Sequence, residues 1–308
     1  MEFHVTVPPS PSARAAGRRN EPPRPGADGF VLTFQCPDSL GIVQAVAGFL
    51  LTQECYILDI KQFGDHAGGQ FFMRVHFSAP DGREADRLRE DFAPVAAEWR
   101  MEWQLERDGR RQPILVMVSK YDHCLRDLLF RAQNGELPVE IVAVVSNHPD
   151  LSGLVDWHGV PFHHIPVTPE TKPDAEAQLL ALVDSYGAEL VVLARYMQVL
   201  SDAATERLSG KAINIHHSFL PSFKGARPYH QAYERGVKTV GATAHYVNSE
   251  LDEGPIISQQ VIEVDHAYGP ADLVTVGKDA ECKALTNAVR WHAEGRILLS
   301  GNRTVILR

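Results

Sequence analysis

Four apolar runs constrain this chain more than any other feature: PILVMVS at 113–119, VEIVAVVSN at 139–147, ELVVLARY at 189–196 and AINIHH at 212–217. A strand that faces water on one side alternates polar with apolar residues. These runs do not alternate, so they read as strands covered on both faces, as in a parallel sheet wrapped by helices. Helical stretches fit between them, around 123–134, 150–158 and 173–186. GATAHYV at 241–247 and PIISQQVIEV at 255–264 read as further strands, and 269–296 as a long terminal helix. The expected architecture for 113–308 is α/β, with a doubly wound, mostly parallel sheet.

The rhythm upstream is different. FVLTFQC, CYILDIKQFG, GQFFMRVHFS and RMEWQLER alternate as half-buried strands, with Asp65 to Gly69 as a turn. LGIVQAVAGFLLTQ and READRLREDFAPVAAEW carry helical spacing, and Pro37-Asp38-Ser39 offers helix-start chemistry for the first of them. The order β-α-β-β-α-β over 29–107 is the ferredoxin-like arrangement. Polar residues 108–112 read as a linker. Residues 1–28 hold six prolines and four arginines with little periodicity, the signature of a disordered tail.

Composition narrows the function classes. Hydrophobic content of 44% and charged content of 22% are globular values, and a formal charge of −9 disfavours a nucleic-acid partner. No apolar run reaches the roughly 18 residues of a membrane span. Cys36, Cys55, Cys124 and Cys282 are scattered, without CxxC or zinc-like spacing. Free thiols and the lack of a secretory signal point to the cytoplasm.

Chemistry concentrates in two places. Asn214 and His216 lie two apart at the end of a buried strand, so their side chains project to the same side. Ligands of open α/β sheets bind just outside such strand ends. Asp252 sits in a loop between two strands, followed by the turn Glu253-Gly254-Pro255. An imidazole that titrates near neutrality, an amide and a carboxylate form a plausible water-activating set. Taken singly, each residue also has a structural reading, a paired core histidine or a turn aspartate. His216 and His217, being adjacent, are expected to point opposite ways, which argues against a metal pair. One of His163 and His164 is expected to face inward.

The pattern N-I-H-x-S-x-L-P-x-F-x-G at 214–225, with L-D-E-G-P-I-I at 251–257, resembles the folate-dependent formyltransferase family. The similarity is strongest to its deformylase branch and extends over roughly 28–308. It includes SKxxHCLxDLL at 119–129, SNHPDL at 146–151 and LARYMQVLS at 193–201. The 29–107 module resembles an ACT domain, a small-ligand sensor that pairs through its sheets or helices. The resemblance implies catalysis by Asn214, His216 and Asp252, and hydrolysis of 10-formyltetrahydrofolate to tetrahydrofolate and formate, which feeds purine synthesis. It implies folate contacts at Met197, Gln198, Val199 and Leu200. It further implies folate as substrate rather than cofactor, no metal, and a homodimer or homotetramer. An amino-acid effector is implied at the loop holding Asp38 and Gly41, although Tyr56 stands where related deformylases tend to have Asn.

Transferases of the family that formylate a phosphorylated amine cradle the phosphate with a Gly-rich loop after the first strand. SKYDHCLRDLL, at that position, has no glycine. The relatives that formylate methionyl-tRNA carry a further C-terminal domain, whereas this sequence stops soon after its expected last helix. Hydrolysis is therefore the leading expectation. Transfer to an amine, a formylated amino sugar as substrate and a non-catalytic folate-binding regulator stay open. His123 is either a site residue of the deformylase branch or a helix-start residue with a solvent partner. His217 either tunes the site or supports it structurally.

Overall fold

The computed structural model describes residues 29–220 and 228–308. The expected disordered tail at 1–28 and the stretch 221–227 of the Leu-Pro motif lie outside the described residues.

The N-terminal module is built from β1 (Gly29–Pro37), α1 (Ile42–Thr52), β2 (Tyr56–Asp65), β3 (Gln70–Ser78), α2 (Ala85–Glu98) and β4 (Glu102–Arg107). Its antiparallel sheet has the order β2-β3-β1-β4, which is the ferredoxin-like arrangement. Phe30, Leu32 and Phe34 alternate inward along β1 and pack with Phe49 of α1 and Leu88 and Phe92 of α2. One expectation fails in detail. β1 runs through Pro37, and α1 starts only at Ile42, capped by Gly41 at φ 105 rather than by Asp38 or Ser39. A Cβ on Gly41 would lie 3.0 Å from the Trp99 ring, so this position needs glycine for both backbone and space.

The second module follows as β5 (Gln112–Val118), α3 (His123–Gln133), β6 (Val139–Ser146), α4 (Ser152–Trp157), β7 (Phe162–His164), α5 (Lys172–Ser185), β8 (Leu190–Leu193), α6 (Asp202–Arg207), β9 (Ala212–His216), α7 (Pro228–Arg235), β10 (Thr239–Tyr246), β11 (Ile256–Glu263) and α8 (Pro270–Ala293). Gln112, read as the end of the linker, already belongs to β5. The seven strands are ordered β11-β10-β9-β8-β5-β6-β7. From β7 to β9 all neighbours are parallel, and β10 runs against both β9 and β11. Strand order reverses between β5 and β8, where a doubly wound sheet opens its ligand crevice.

The two faces of this sheet have separate cores. Ile114, Val116, Ile213 and Ile215 meet α3 and α8 on one face. Leu115, Met117, Leu193 and Ala212 meet α5 and α6 on the other. Along α8, Leu273, Gly277, Ala280, Glu281, Ala284, Leu285 and Ala288 form the buried stripe expected of helical spacing, with one charge in it.

The chain then makes a hairpin absent from the sequence reading, β12 (Ile297–Ser300) and β13 (Arg303–Ile306). It is too short to bury its apolar residues alone and gains burial by docking elsewhere: Leu298 and the following Leu307 pack on Phe72 of β3. Arg74 donates to the Glu294 carbonyl at 3.1 Å, and Arg303 pairs with Asp65 at 3.1 Å. The hairpin also holds the loop after β10, through Asn302 to the Glu253 carbonyl and Thr304 to the Ile256 carbonyl. Among the described residues no helix is long and apolar enough to cross a membrane. The four cysteines are free.

Candidate active site

On β9, Ile213 and Ile215 face the α3/α8 core, so Asn214 and His216 face the α5/α6 side. On β10, Ala244 and Tyr246 face the α3/α8 core in turn, which sends Thr243 and His245 to the α5/α6 side. Register then pairs His245 with Asn214 and Thr243 with His216. The chain leaves β10 beside Ala212 and turns back over this face, carrying Asp252 onto the two strands.

The three expected site residues meet. Asp252 Oδ2 lies 3.1 Å from His216 Nδ1, and its Oδ1 lies 3.5 Å from Asn214 Nδ2. A fourth residue, His245, was not singled out in the sequence. Its Nε2 is 3.3 Å from Asn214 Nδ2 and 3.7 Å from Asp252 Oδ1, while its Nδ1 is 2.8 Å from the Tyr246 carbonyl. Two features hold the Asp252 loop in place. Asp252 adopts φ 59, a left-handed conformation that aspartate tolerates better than most residues. Gly254 passes so close to β10 that a Cβ would sit 1.8 Å from the Tyr246 carbonyl oxygen.

The electrostatics follow from burial and partners. Burial pushes the Asp252 carboxyl upward, but the hydrogen bond from His216, with His245 nearby, outweighs it and holds the group well below the usual carboxylate range. An ionised Asp252 fixes His216 with Nδ1–H as donor, and His216 Nε2 is buried with no hydrogen-bond partner among the described residues. A buried, unpartnered ring nitrogen is costly to a resting fold and useful to a substrate oxygen.

Leu193 of β8 aligns with Asn214, and the segment beyond it lines a small pocket on the same face of the sheet. Tyr196, Gln198, Val199 and Leu200 form one wall, facing Met117 and Glu176. Glu176 holds this wall by accepting from both the amide and the hydroxyl of Ser201. Burial pushes the Tyr196 hydroxyl up to about 12, with Glu176 adding to it. Met197, half-exposed beside this wall, contributes its backbone N–H to Ser119 Oγ at 3.0 Å.

One correction concerns His123. Its partner is not solvent but the buried Glu281 of α8, at 2.7 Å. Tyr229 donates to the same carboxylate at 2.9 Å, and Arg195 lies 3.5 Å from it. Burial opposes ionisation of Glu281, yet His123 and Arg195 hold it below the ordinary glutamate value. His123, Cys124 and Glu281 offer ligand atoms within 4.8 Å of one another. A cation there would face the Arg195 guanidinium on the carboxylate it needs, so the chemistry of the set does not favour a metal.

The rings of His216 and His217 diverge less than strict alternation implies, with centroids 5.1 Å apart at 38°. His217 turns toward Tyr229, and burial, with the charges of Arg195 and His216, pushes it down to about 4. His163 does face inward, onto the Tyr186 hydroxyl at 2.9 Å, whereas His164 is exposed.

A sheet of this order, with an amide, an imidazole and a carboxylate gathered on one face beside an apolar pocket, defines a formyl-transfer class of α/β protein. The family described as Formyl transferase matches residues 112–289. A formyltetrahydrofolate deformylase of Corynebacterium sp. strain P-1 is 64% identical over 281 residues, covering 90% of this chain and 98% of that protein. The crystal structure of a formyltetrahydrofolate deformylase from Burkholderia mallei superposes with TM-score 0.88 at 52% identity, covering 91% of this chain and all of that one. A glycinamide ribonucleotide transformylase from Symbiobacterium toebii follows at TM-score 0.61 and 32% identity, over 67% of this chain and 98% of its own. The chain belongs to the formyltetrahydrofolate deformylase family.

Proposed function

We propose that this protein hydrolyses 10-formyltetrahydrofolate to tetrahydrofolate and formate, with Asn214, His216 and Asp252 as the catalytic residues. One observation carries the assignment of roles: His216 Nδ1 is tied to the Asp252 carboxylate at 3.1 Å, while its Nε2 is buried and has no partner among the described residues.

The folate ring system occupies the pocket walled by Gln198, Val199 and Leu200, which directs the formyl group toward Asn214. The water oxygen bonds to the formyl carbon as the C=O π pair moves onto oxygen. Asn214 Nδ2–H and protonated His216 Nε2–H donate to that oxyanion. Asp252 stabilises the positive charge on His216 and accepts the proton that the attacking water loses. The oxyanion pair re-forms the C=O bond as the C–N10 bond breaks, and the pair of that bond goes to N10, which takes the proton that Asp252 received from the water. Formate and tetrahydrofolate leave. His245 acts on Asn214 and Asp252 and is a positioning residue. No metal enters this scheme.

The N-terminal module is proposed to assemble a homo-oligomer and to take an amino-acid effector at the loop of Asp38 and Gly41. The Asp38 amide is already bonded to the Gly69 carbonyl at 2.9 Å, so an effector would meet its carboxylate and the loop backbone.

Formate release from 10-formyltetrahydrofolate by the full chain, without any amine, tests the central claim. Steady release supports hydrolysis. Release that starts only when an amine is supplied makes the protein a transferase.

A further inference from the structure

The crevice between the carboxyl ends of β5 and β8 is the place where a doubly wound sheet admits a ligand, and here it is built shut. The Ser119 amide bonds to the Arg195 carbonyl at 3.2 Å and ties the two strand ends together. Strand alternation would send Arg195 to the side of Leu193. Instead its φ of 66 turns it, and its guanidinium lies 5.0 Å over the Tyr121 ring and 3.5 Å from the Glu281 carboxylate. His123 and Tyr229 take up the remaining acceptor capacity of Glu281. Tyr229 reaches this position because residue 277 is glycine; a Cβ there would fall 2.2 Å from the phenol ring.

A buried carboxylate beside a formyl-transfer site is the group that would receive a basic amine as formyl acceptor. In this protein His123 and Tyr229 already donate to it, and Arg195 neutralises it. Arg195 itself is only 9% exposed, and neither its Nε nor its Nη1 has a hydrogen-bond partner among the described residues. A guanidinium is left under-bonded in the interior where a smaller residue would leave an opening. The cluster abuts the catalytic histidine, because His217 bridges Tyr229, at 6.3 Å, and His216, at 5.1 Å between ring centroids.

We propose that Arg195, seated between Tyr121 and Glu281, is the specificity determinant that closes the amine side of the formyl site and reserves it for water. The proposal rests on the hydrolytic function above. It assigns to Arg195 and Glu281 the choice between water and amine, separate from the bond-making work of Asn214, His216 and Asp252.

The test measures how the formyl group partitions. Full-length protein is given 10-formyltetrahydrofolate with an isotopic label in the formyl carbon and a fixed excess of glycinamide as a probe amine. Labelled formate and N-formylglycinamide are then quantified. Arg195→Gly suits the left-handed backbone and should raise the amide-to-formate ratio at least tenfold over the parent. Adding Glu281→Gln to it should abolish that rise, since the amine loses its carboxylate. Tyr121→Ala removes a half-exposed ring and should give a smaller rise of several-fold, so it decides the matter if Arg195→Gly does not fold. A ratio equal to the parent's in a folded variant overturns the proposal, as does a rise that survives Glu281→Gln. Failure of the parent protein to release formate without amine overturns the hydrolytic function instead, and the two failures are read from different samples.

Discussion

Asn214 and His245 face each other across β9 and β10, with the amide nitrogen 3.3 Å from the imidazole Nε2. The other ring nitrogen is occupied by the Tyr246 carbonyl at 2.8 Å, which leaves Nε2 to accept from Asn214. An asparagine amide can rotate by half a turn at little cost, and His245 sets which way it points. His245→Ala should therefore lower kcat by up to about 100-fold, the scale of a misplaced catalytic group, with a smaller change in KM. His245→Gln, which can still accept, should recover part of the loss. Equal kcat losses for both substitutions would count against a positioning role.

Asp252 contacts His216 at 3.1 Å, and the hydrogen bond from that ring holds it ionised. Asp252→Asn keeps its shape and removes its charge. Turnover should fall on the order of 10²–10³-fold, the range seen when a group acting on the developing charge is lost. Binding of a non-hydrolysable folate should change only a few-fold, because that contact is made in the pocket. Comparable losses of binding and turnover would move Asp252 from catalysis to substrate binding.

The site was legible in the sequence where chemistry and strand period coincide, and hidden where it depends on tertiary contacts. Asn214 and His216 stand out because polar groups two apart interrupt a buried strand. His245 sits in GATAHYV with no comparable signal, since only the antiparallel register brings it opposite Asn214. Glu281 could have been found: it is a charge on the stripe that α8 buries, and buried charges are paired. Arg195 could not, because its orientation depends on a left-handed backbone at a strand end. The hairpin of β12 and β13 escaped because its stabilising contact, Phe72, is far away in the other module. The start of α1 was misplaced because Asp38 and Ser39 mimic caps, while the chain uses Gly41 to pass under Trp99.

Gly254 shows how tightly the Asp252 loop is fitted. The atom that an added Cβ would strike is the backbone oxygen of Tyr246, part of β10, and it has no room to yield. Gly254→Ala should displace the loop by about an ångström and cost on the order of 100-fold in kcat while leaving the fold intact. Near-parental thermal stability with activity close to the parent's would mean that the loop relaxes elsewhere.

Acid should weaken this fold through histidines that are neutral inside it. His292, beside the Tyr246 hydroxyl at 2.7 Å, is pushed by burial down to about 4, and His217 reaches a similar value. In the unfolded chain each would titrate near about 6.5. Between those limits the unfolded state binds more protons, so stability falls as pH drops from about 6.5 to about 4, and little further loss from these rings follows below that. Asp252 works in the same direction in a lower window, its contribution being complete above about 4 and lost as pH falls further. At about pH 5, His292 alone should cost about 1–2 kcal/mol relative to about pH 7.5, from roughly 1.4 kcal/mol per pKa unit. His292→Gln removes the titrating group while keeping a polar partner for Tyr246. Urea unfolding at the two pH values should show a clearly smaller pH difference for that variant than for the parent. An identical difference in both proteins would remove His292 from the account and leave the acid sensitivity to His217 and the carboxylates.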